Sequence, residues 1–343
     1  MSATSRDLVK AALTFQSPAR VPRNLWTLPW AEKRYAKELA ALRAEFPDDF
    51  IFAPAAGQPS PLKNGDPYRV GESVDDWGAV FTNIHDGIHG EVKHPVLTGG
   101  SPDAKTIRPP AENLPADPAK ARDAVNRFCA GTEKFVMAGC LPRPWERYQF
   151  LRGTENSLMD VMMPEEGMEA CLKAIHDHYL RELEFWVKTD VDAIFFMDDW
   201  GSQSQLLIPP PLWRRLFKPL YADYCSIARA HGKFAFMHSD GYIAEVYEDL
   251  VEVGVDAQNS QLFIMDRADL AKRVKGKITF WGEMDRQHIL TAENPDVGRR
   301  GVRAVVEHLY DPKGGVIAQL EFGPGSQPET VRAVFDEWCK VVT

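Results

Sequence analysis

Apolar runs of strand length alternate with amphipathic runs of helical length about eight times along this chain of 343 residues. Strands and helices in alternation are typical of a parallel sheet that is covered by helices. Neither GxGxxG nor GxxxxGK[ST] occurs in the sequence, so the open nucleotide-binding sheets lack their phosphate-binding loop. The alternation therefore predicts an α/β fold of the (β/α)8 TIM barrel type.

The most regular part of the pattern begins at residue 135. Its predicted strands are 135–138, 193–197, 233–237, 256–261, 278–281 and 315–320. Its predicted helices lie within 144–188 and at 211–231, 243–253, 269–274, 295–310 and 330–341. Each apolar run is thus followed by at least one predicted helix, as the barrel requires.

We expect one barrel domain over residues 1–343, with an irregular segment inside its N-terminal part. Before that segment, 21–30 is predicted as a strand that continues into a tryptophan-rich loop, 31–46 as a helix and 49–53 as a strand. Residues 55–115 are rich in loop-forming residues, and the alternation over 78–94 predicts antiparallel strands. The range 55–115 is therefore predicted as an irregular or β insertion over one end of the barrel.

Composition excludes several classes of function. The net charge is −9, and no cluster of Lys and Arg is interleaved with aromatic residues, which argues against a nucleic-acid partner. No apolar run approaches the roughly 20 residues that span a bilayer. The first residues lack a secretory pattern, and the five cysteines are scattered, so we expect a cytoplasmic protein. A small-molecule substrate and a second copy in a homodimer are the expected partners.

Five consecutive predicted strands end in polar or acidic residues. The segment Phe236-Met-His-Ser-Asp-Gly-Tyr242 places His238 and Asp240 two residues apart at the end of an apolar run. Because side chains at i and i+2 of an extended chain point the same way, this pair could bind one metal ion or one substrate group. The carboxyl ends of barrel strands meet at one mouth, where active sites lie.

The other four strand ends carry similar residues. They are Asp198-Asp-Trp-Gly201 with Gln203 beyond it, Gln258-Asn-Ser-Gln261, Trp281-Gly-Glu-Met-Asp285 and Gln319-Leu-Glu-Phe-Gly323. Helix capping is an alternative role for the Asp, Asn and Ser residues. It does not account for the recurrence of Glu and His.

Several carboxylates near one another need a compensating positive charge. His238, Asp240 and Glu321 would suit a zinc ion or another divalent metal with an open coordination position. Arg143 and Arg147 are the alternative compensators, in a network without metal. The sequence leaves both arrangements open.

These motifs resemble the uroporphyrinogen decarboxylase superfamily. The resemblance rests on Asp198-Asp-Trp-Gly-x-Gln203, the helix Pro211–Pro219, His238-Ser-Asp-Gly241, Phe280-Trp-Gly-Glu-Met-Asp285 and Gly323 with Pro328-Glu-Thr. It covers about the last 150 residues in unbroken order. It implies a (β/α)8 barrel, in agreement with the alternation.

Within the superfamily, the chain is closer to the cobalamin-dependent methyltransferases than to true uroporphyrinogen decarboxylases. The latter carry an arginine-rich N-terminal signature, whereas this chain has Asn24-Leu-Trp-Thr-Leu-Pro-Trp30. Thiol-methylating members are similar at His238 but hold zinc with two cysteines where this chain has Asp240 and Glu321. Carboxylates make a harder site than thiolates, which favours an oxygen-bearing substrate.

The resemblance implies an O-demethylase that moves a methyl group from a small methoxylated substrate, such as an aromatic one, to the cobalt of a separate corrinoid protein. The cofactors would be Zn²⁺, held by His238, Asp240 and Glu321, and cobalamin on the partner. Asp199 and Glu283 are the predicted catalytic acids. The predicted substrate contacts are Trp26, Trp30, Arg147, Trp200, Gln203, Gln261 and Phe322. The alternative is a decarboxylase or lyase acting on a small carboxylated substrate.

Overall fold

The computed structural model describes residues 3–341. In chain order its strands are β1 (Arg23–Thr27), β2 (Phe50–Phe52), β3 (Gly71–Val74), β4 (Val80–Asn83), β5 (Glu91–His94), β6 (Phe135–Met137), β7 (Ala193–Met197), β8 (Phe234–Ser239), β9 (Ala257–Ser260), β10 (Thr279–Trp281) and β11 (Val316–Phe322). Its α-helices are α1 (Ser5–Leu13), α2 (Pro29–Arg34), α3 (Ala36–Glu45), α4 (Pro118–Ala130), α5 (Pro144–Arg152), α6 (Thr154–Met162), α7 (Glu166–Trp186), α8 (Pro210–Leu216), α9 (Lys218–Ala230), α10 (Tyr247–Val253), α11 (Arg267–Val274), α12 (Pro295–His308) and α13 (Pro328–Trp338).

Eight parallel strands form the barrel and confirm the predicted fold. Their spatial order is β1, β11, β10, β9, β8, β7, β6, β2, so the last strand of the chain pairs with the first. At the remaining seam, the backbone N–H of Asp49 donates to the carbonyl of Arg23 at 3.0 Å, which brings β2 beside β1. The barrel is therefore nearly closed.

Side chains in the barrel strands alternate between two apolar layers. Phe195 and Phe236 belong to an interior cluster formed by consecutive strands. Their neighbours Phe196 and Met237 pack instead in the outer layer between strands and helices. This period of two determines which polar side chains face the mouth further along each strand.

Helix α1 closes the N-terminal end of the barrel. Val9 and Leu13 join the interior cluster, and the carbonyl of Ala12 accepts a hydrogen bond from Gly315 N at 2.8 Å. The helix begins with a capping box between Thr4 and Asp7. Sequence patterning missed α1 and α4, and it predicted a loop where α2 begins at Pro29. The 31–46 segment is two helices broken at Tyr35 rather than one.

The range 55–115 contains a three-stranded antiparallel sheet in the order β3, β4, β5. The carbonyl of Gly87, in the β4–β5 connection, accepts a hydrogen bond from Trp30 N at 3.2 Å. Asp75, just after β3, pairs with Arg147 on α5. These contacts hold the small sheet against elements that follow the strand ends. No helix within residues 3–341 is long and apolar enough to cross a bilayer.

Candidate metal centre at the barrel mouth

His238, Asp199 and Asp240 come together at the carboxyl ends of β7 and β8, and we call them the mouth triad. Phe195 and Phe236 face the barrel interior, so the period of two directs Asp199, His238 and Asp240 inward as well. His238 Nε2 lies 3.4 Å from Asp199 Oδ1 and 3.6 Å from Asp240 Oδ1. One ligand atom from each residue lies within 4.8 Å of the other two.

The ring of His238 is oriented by Asn259 on β9. Asn259 donates its side-chain N–H to the carbonyl of Trp281. Its Oδ1 is thus turned toward His238 Nδ1, at 2.5 Å, and accepts the Nδ1 proton. In the neutral tautomer that results, Nε2 carries the lone pair and faces the two carboxylates. An outer hydrogen bond of this kind is typical of metal-ligating histidines.

The distances from His238 to the two carboxylates fit a shared cation better than direct hydrogen bonds. Two atoms bonded to one tetrahedral metal at about 2.0–2.2 Å lie about 3.3–3.5 Å apart, close to the 3.4 and 3.6 Å separations here. Asp240 Oδ1 is buried and has no hydrogen-bond partner within residues 3–341. The set of one imidazole and two carboxylates therefore fits a divalent cation of the zinc type.

The electrostatics of the triad point the same way. Burial by itself lowers the pKa of His238, but the carboxylates of Asp199 and Asp240 outweigh burial and raise this pKa to about 10. Burial tends to raise the pKa of Asp199, yet the contact with His238 dominates and holds that pKa below its ordinary value. The site thus stabilises positive charge between two carboxylates, either as a proton on His238 or as a metal ion.

Two glycines allow the β7 and β8 loops to approach closely enough to form the triad. Gly201 N donates to the carbonyl of Asp240 at 3.0 Å, and Asp240 N donates to Asp199 Oδ1 at 2.9 Å. A Cβ on Gly241, whose φ is +80°, would lie 2.0 Å from Gly201 O. This contact is why both Asp-x-x-Gly201 and His-x-Asp-Gly241 end in glycine.

Replacing Gly241 with alanine is expected to destabilise the protein by more than the roughly 1–3 kcal/mol of a strained left-handed residue, because the new Cβ also forces the two loops apart. Urea denaturation measures the loss. Gly232→Ala is the matched control, since Gly232 also has a positive φ, +66°, but nothing lies within 4 Å of its added Cβ. Equal losses in the two variants would contradict the role given to the loop contact.

Arg286, in the loop after β10, bridges three carboxylates, and we call this set the Arg286 group. Its Nη2 lies 2.6 Å from Asp240 Oδ2, its Nη1 3.0 Å from Glu321 Oε1 and its Nε 3.2 Å from Glu283 Oε2. Glu321, the third predicted metal ligand, is therefore paired with Arg286 and lies outside the mouth triad. Asp199, which we predicted as a catalytic acid, occupies the third position of the triad.

Glu283 and Glu146 are buried acids beside the triad. Burial raises the pKa of Glu283 to about 8, although Arg286 opposes the shift. Burial likewise raises the pKa of Glu146 to about 7 against the attraction of Arg143. Oε1 of Glu283 has no hydrogen-bond partner within residues 3–341. Burial thus favours the protonated form of Glu283, which could donate a proton at the barrel mouth, while Arg286 stabilises its carboxylate form.

Of the predicted substrate contacts, some lie in the mouth and others point into the core, depending on their position along the strand. Trp26 lies in the mouth, with its ring 5.4 Å from that of His238, and Gln261 accepts a hydrogen bond from Gly241 N at 3.1 Å. Trp200 and Phe322 instead face the outer layer, where both are almost fully buried in the core. Their positions, one residue out of phase with Asp199 and Glu321, turn them away from the mouth.

The remaining predicted contacts lie elsewhere. Trp30 packs against Tyr35 and the backbone of Gly87, and Gln203 is exposed in the loop after β7. Arg147 pairs with Asp75 and lines a separate cavity. Arg143, the other candidate compensator, lies 3.7 Å from Glu146. Neither arginine takes the position that Arg286 occupies.

Sequence patterning missed Asn259 as a partner of His238, Arg286 as the main compensating cation, and Phe52 as an aromatic at the mouth. Phe52 ends β2, is 45% exposed, and its ring lies 5.9 Å from that of Phe195. A signal for Arg286 was available, because Glu283-x-x-Arg286 places opposite charges three residues apart after a strand end. No local pattern marks Asn259, whose role depends on the neighbouring strand.

Comparison with known proteins adds a family and a fold. A family model described as uroporphyrinogen decarboxylase (URO-D) matches residues 83–340. Among solved structures, a methyltransferase from Methanosarcina mazei superposes with a TM-score of 0.68 at 12% identity, covering 99% of each chain. A xylanase from Gloeophyllum trabeum superposes with a TM-score of only 0.39 at 11% identity, over 64% of this chain and 80% of the xylanase. No curated protein matches.

Proposed function

Because the chain belongs to the uroporphyrinogen decarboxylase family, we propose that it is a methyltransferase of that family, acting as an O-demethylase. The substrate is a small methoxylated molecule, and the methyl acceptor is the cobalt of a separate corrinoid protein. The observation that carries the proposal is the mouth triad, a histidine and two carboxylates with their ligand atoms within 4.8 Å of one another. The likeness in fold to a methyltransferase over 99% of both chains supports it.

Oxygen is the substrate atom that the triad favours. His238, Asp199 and Asp240 would hold the zinc ion, with Glu321 kept by Arg286. Two carboxylates and one imidazole form a harder ligand set than thiolates do. When bound, zinc supplies a Lewis acid that polarises the substrate oxygen. The ligand set therefore supports an ether or methoxy substrate over a thioether.

Aromatic side chains on β1 and β2 give the mouth a wall against which an aryl ring can lie. Trp26 is half-buried and Phe52 is 45% exposed, and both rings contact Phe195. A flat apolar wall beside a few polar groups is the usual form of a small-molecule site. Trp26 also contacts the ring of His238. An aryl ring packed on Trp26 would thus hold its methoxy oxygen near the triad.

The protein groups act on the leaving oxygen. As the bond between oxygen and the methyl carbon breaks, the electron pair stays on oxygen while the carbon bonds to the acceptor. Glu283 then gives its proton to that oxygen, so the product leaves as an alcohol or phenol and Glu283 regains a proton from solvent. Arg286 holds the resulting Glu283 carboxylate, because its Nε already lies 3.2 Å away.

Replacing Asn259 with alanine is expected to weaken zinc binding about 10–100-fold, the usual cost of removing a partner of a ligating histidine. The reason is that His238 loses the acceptor that fixes its tautomer. Competition with a chromophoric chelator measures the affinity. Asn156→Ala on α6 is a matched control, since within residues 3–341 the side chain of Asn156 makes a single hydrogen bond, to a backbone carbonyl at 3.5 Å. Unchanged zinc affinity in Asn259→Ala would remove Asn259 from the site.

Replacing Glu283 with glutamine is expected to lower kcat about 10²–10⁴-fold, the usual contribution of a general acid. Glutamine mimics the protonated acid in shape but does not donate an acidic proton, so the melting temperature should change little. In the wild type the acid form is present below its pKa and lost above it, so kcat should fall as pH rises through about 8. That fall should be absent in Glu283→Gln. A variant with wild-type kcat and pH profile would show that Glu283 is only structural.

The proposed reaction is tested by mixing the protein with a reduced corrinoid protein and 2-methoxyphenol. The expected result is the absorbance change of corrinoid methylation, with one equivalent of catechol released. The methylthio analogue is the matched control and should react more slowly, because the triad favours oxygen. Faster reaction of the sulfur compound would contradict the ligand argument.

A decarboxylase acting on a small carboxylated substrate is the second candidate, and Arg143 is the observation in its favour. Arg143 lies in the mouth, is about a quarter exposed, and has its only carboxylate contact within residues 3–341 at 3.7 Å, so it could bind a substrate carboxylate. Arg286 could not, because three carboxylates already occupy its nitrogens. Carbon dioxide release from an aryl carboxylate, without methyl transfer from any methoxylated compound, would favour this reaction.

A further inference from the structure

A second polar cavity lies beside the barrel mouth, and we call it the rim cavity. It has a volume of about 260 Å³, opens to the surface, and is lined by helices α5 and α7, the segment after β6 and the insertion. The lining residues that matter here are Lys63, Asp76, Trp77, Arg147, Tyr179, Glu182 and Trp186. No member of the mouth triad or of the Arg286 group lines it.

Each of the two cations at the rim cavity is neutralised by a neighbouring carboxylate. Arg147 is paired with Asp75, and its guanidinium lies over the ring of Trp77, 5.1 Å from the centroid. Lys63 Nζ lies 3.1 Å from Asp76 Oδ2. With these two pairs neutral, the remaining charge of the cavity is that of Glu182.

Glu182 has no Lys or Arg within salt-bridge distance in residues 3–341, and the attraction of Arg147, which is paired with Asp75, only partly opposes its burial. It is only 8% exposed. His178 Nε2 is the nearest basic atom, at 3.8 Å, but burial lowers the pKa of His178 to about 4, so that ring is neutral. Burial raises the pKa of Glu182 to about 7. A buried carboxylate with so little direct compensation is costly unless something positive joins it.

The walls around Glu182 are aromatic. Trp77, Tyr179 and Trp186 line the cavity, and all three are nearly buried. Rings beside a carboxylate suit a ligand with a cationic head and a short apolar body, because the carboxylate accepts its N–H bonds and the rings attract its charge. An anionic ligand would instead be repelled by Glu182, because Asp75 and Asp76 already neutralise the two cations of the cavity.

We propose that the rim cavity binds a small organic ammonium ion, whose N–H groups donate to Glu182 and whose alkyl part packs against Trp186 and Tyr179. The ligand site is separate from the mouth triad, so binding there does not depend on the methyl-transfer proposal. Arg147, which sequence patterning assigned to the substrate, belongs to this site and holds the insertion against α5 through Asp75.

Isothermal titration with three probes of similar shape tests the proposal: propylammonium, 1-propanol and propionate. At pH 8, where Glu182 is ionised, propylammonium should bind in the millimolar range and at least about tenfold more tightly than the other two. Glu182→Gln should lose that preference. Glu184→Gln, on the same helix but exposed, is the matched control and should bind as the wild type does.

Glu182→Gln is expected to fold, since replacing a buried unpaired carboxylate by its neutral isostere removes a cost. Its melting temperature checks this. Propionate binding as tightly as propylammonium, equal binding by Glu182→Gln, or no heat from propylammonium would each overturn the proposal. If the protein transfers methyl groups and also gives any of these results, the ammonium site is wrong and the proposed function is unaffected.

Discussion

His238→Ala should retain almost none of the zinc that the wild type is expected to hold at about one ion per chain. His238 supplies the only nitrogen of the mouth triad, and both carboxylates lie within 3.4–3.6 Å of its Nε2. Loss of an outer partner typically weakens metal binding 10–100-fold, so loss of the ligand itself should weaken it at least about 100-fold. Methyl transfer should fall with the metal, because polarisation of the leaving oxygen is lost.

Elemental analysis of the purified proteins gives the metal content, and corrinoid methylation gives the rate. His231→Ala is the matched control, because His231 is exposed at the end of α9 and its ring hydrogen-bonds, in the described part of the chain, to the carbonyl of Ile227 alone. Circular dichroism establishes that both variants are folded. A metal-free wild type with full activity, or a His238→Ala variant that keeps its zinc, would contradict the interpretation of the triad as a metal site.

The fold was predictable because its signal repeats. Each barrel strand is an apolar run followed by a helix, so a local error such as the missed α1 does not alter the topology. The position of the candidate site was predicted from the same regularity, since polar residues end consecutive strands that meet at one mouth. His238 and Asp240 could be paired from spacing alone, because a strand period of two turns them to the same side.

The division of roles within the site was less predictable. Adjacent residues of a strand point to opposite faces, so Trp200 points away from Asp199 and Phe322 away from Glu321. Applied to the sequence, this period of two would have placed both aromatic side chains in the core. No periodicity reveals that Asp199 rather than Glu321 joins His238, because this depends on how two loops meet at Gly201 and Gly241. Long-range contacts between loops leave no signal in a single strand.

Among the contacts between loops at the mouth, we expect those of Arg286 to contribute most to the stability of the protein. Replacing it with methionine keeps much of the apolar side chain but leaves Asp240, Glu283 and Glu321 without their shared cation. Removing one partner of a buried pair costs about 3–5 kcal/mol. Because Arg286 is about a quarter exposed, we expect the low end, about 3 kcal/mol, in urea denaturation with chelator present. Arg273→Met is the control, since its partners Glu248 and Asp269 are mostly exposed and such pairs contribute about 1 kcal/mol or less.

Zinc should partly reverse the loss in Arg286→Met. Without the guanidinium, Asp240 Oδ2 and Glu321 Oε1 become free to bind a cation, and Glu321 could then join the triad as the sequence predicted. The variant should therefore gain more stability from added zinc than the wild type gains, because zinc binding also supplies the missing positive charge. Equal stability of Arg286→Met and the wild type in chelator would show that the three carboxylates need no compensation. Equal zinc-dependent gains would show that Glu321 stays outside the metal site even when released, and only Asp199, His238 and Asp240 would then remain as ligands.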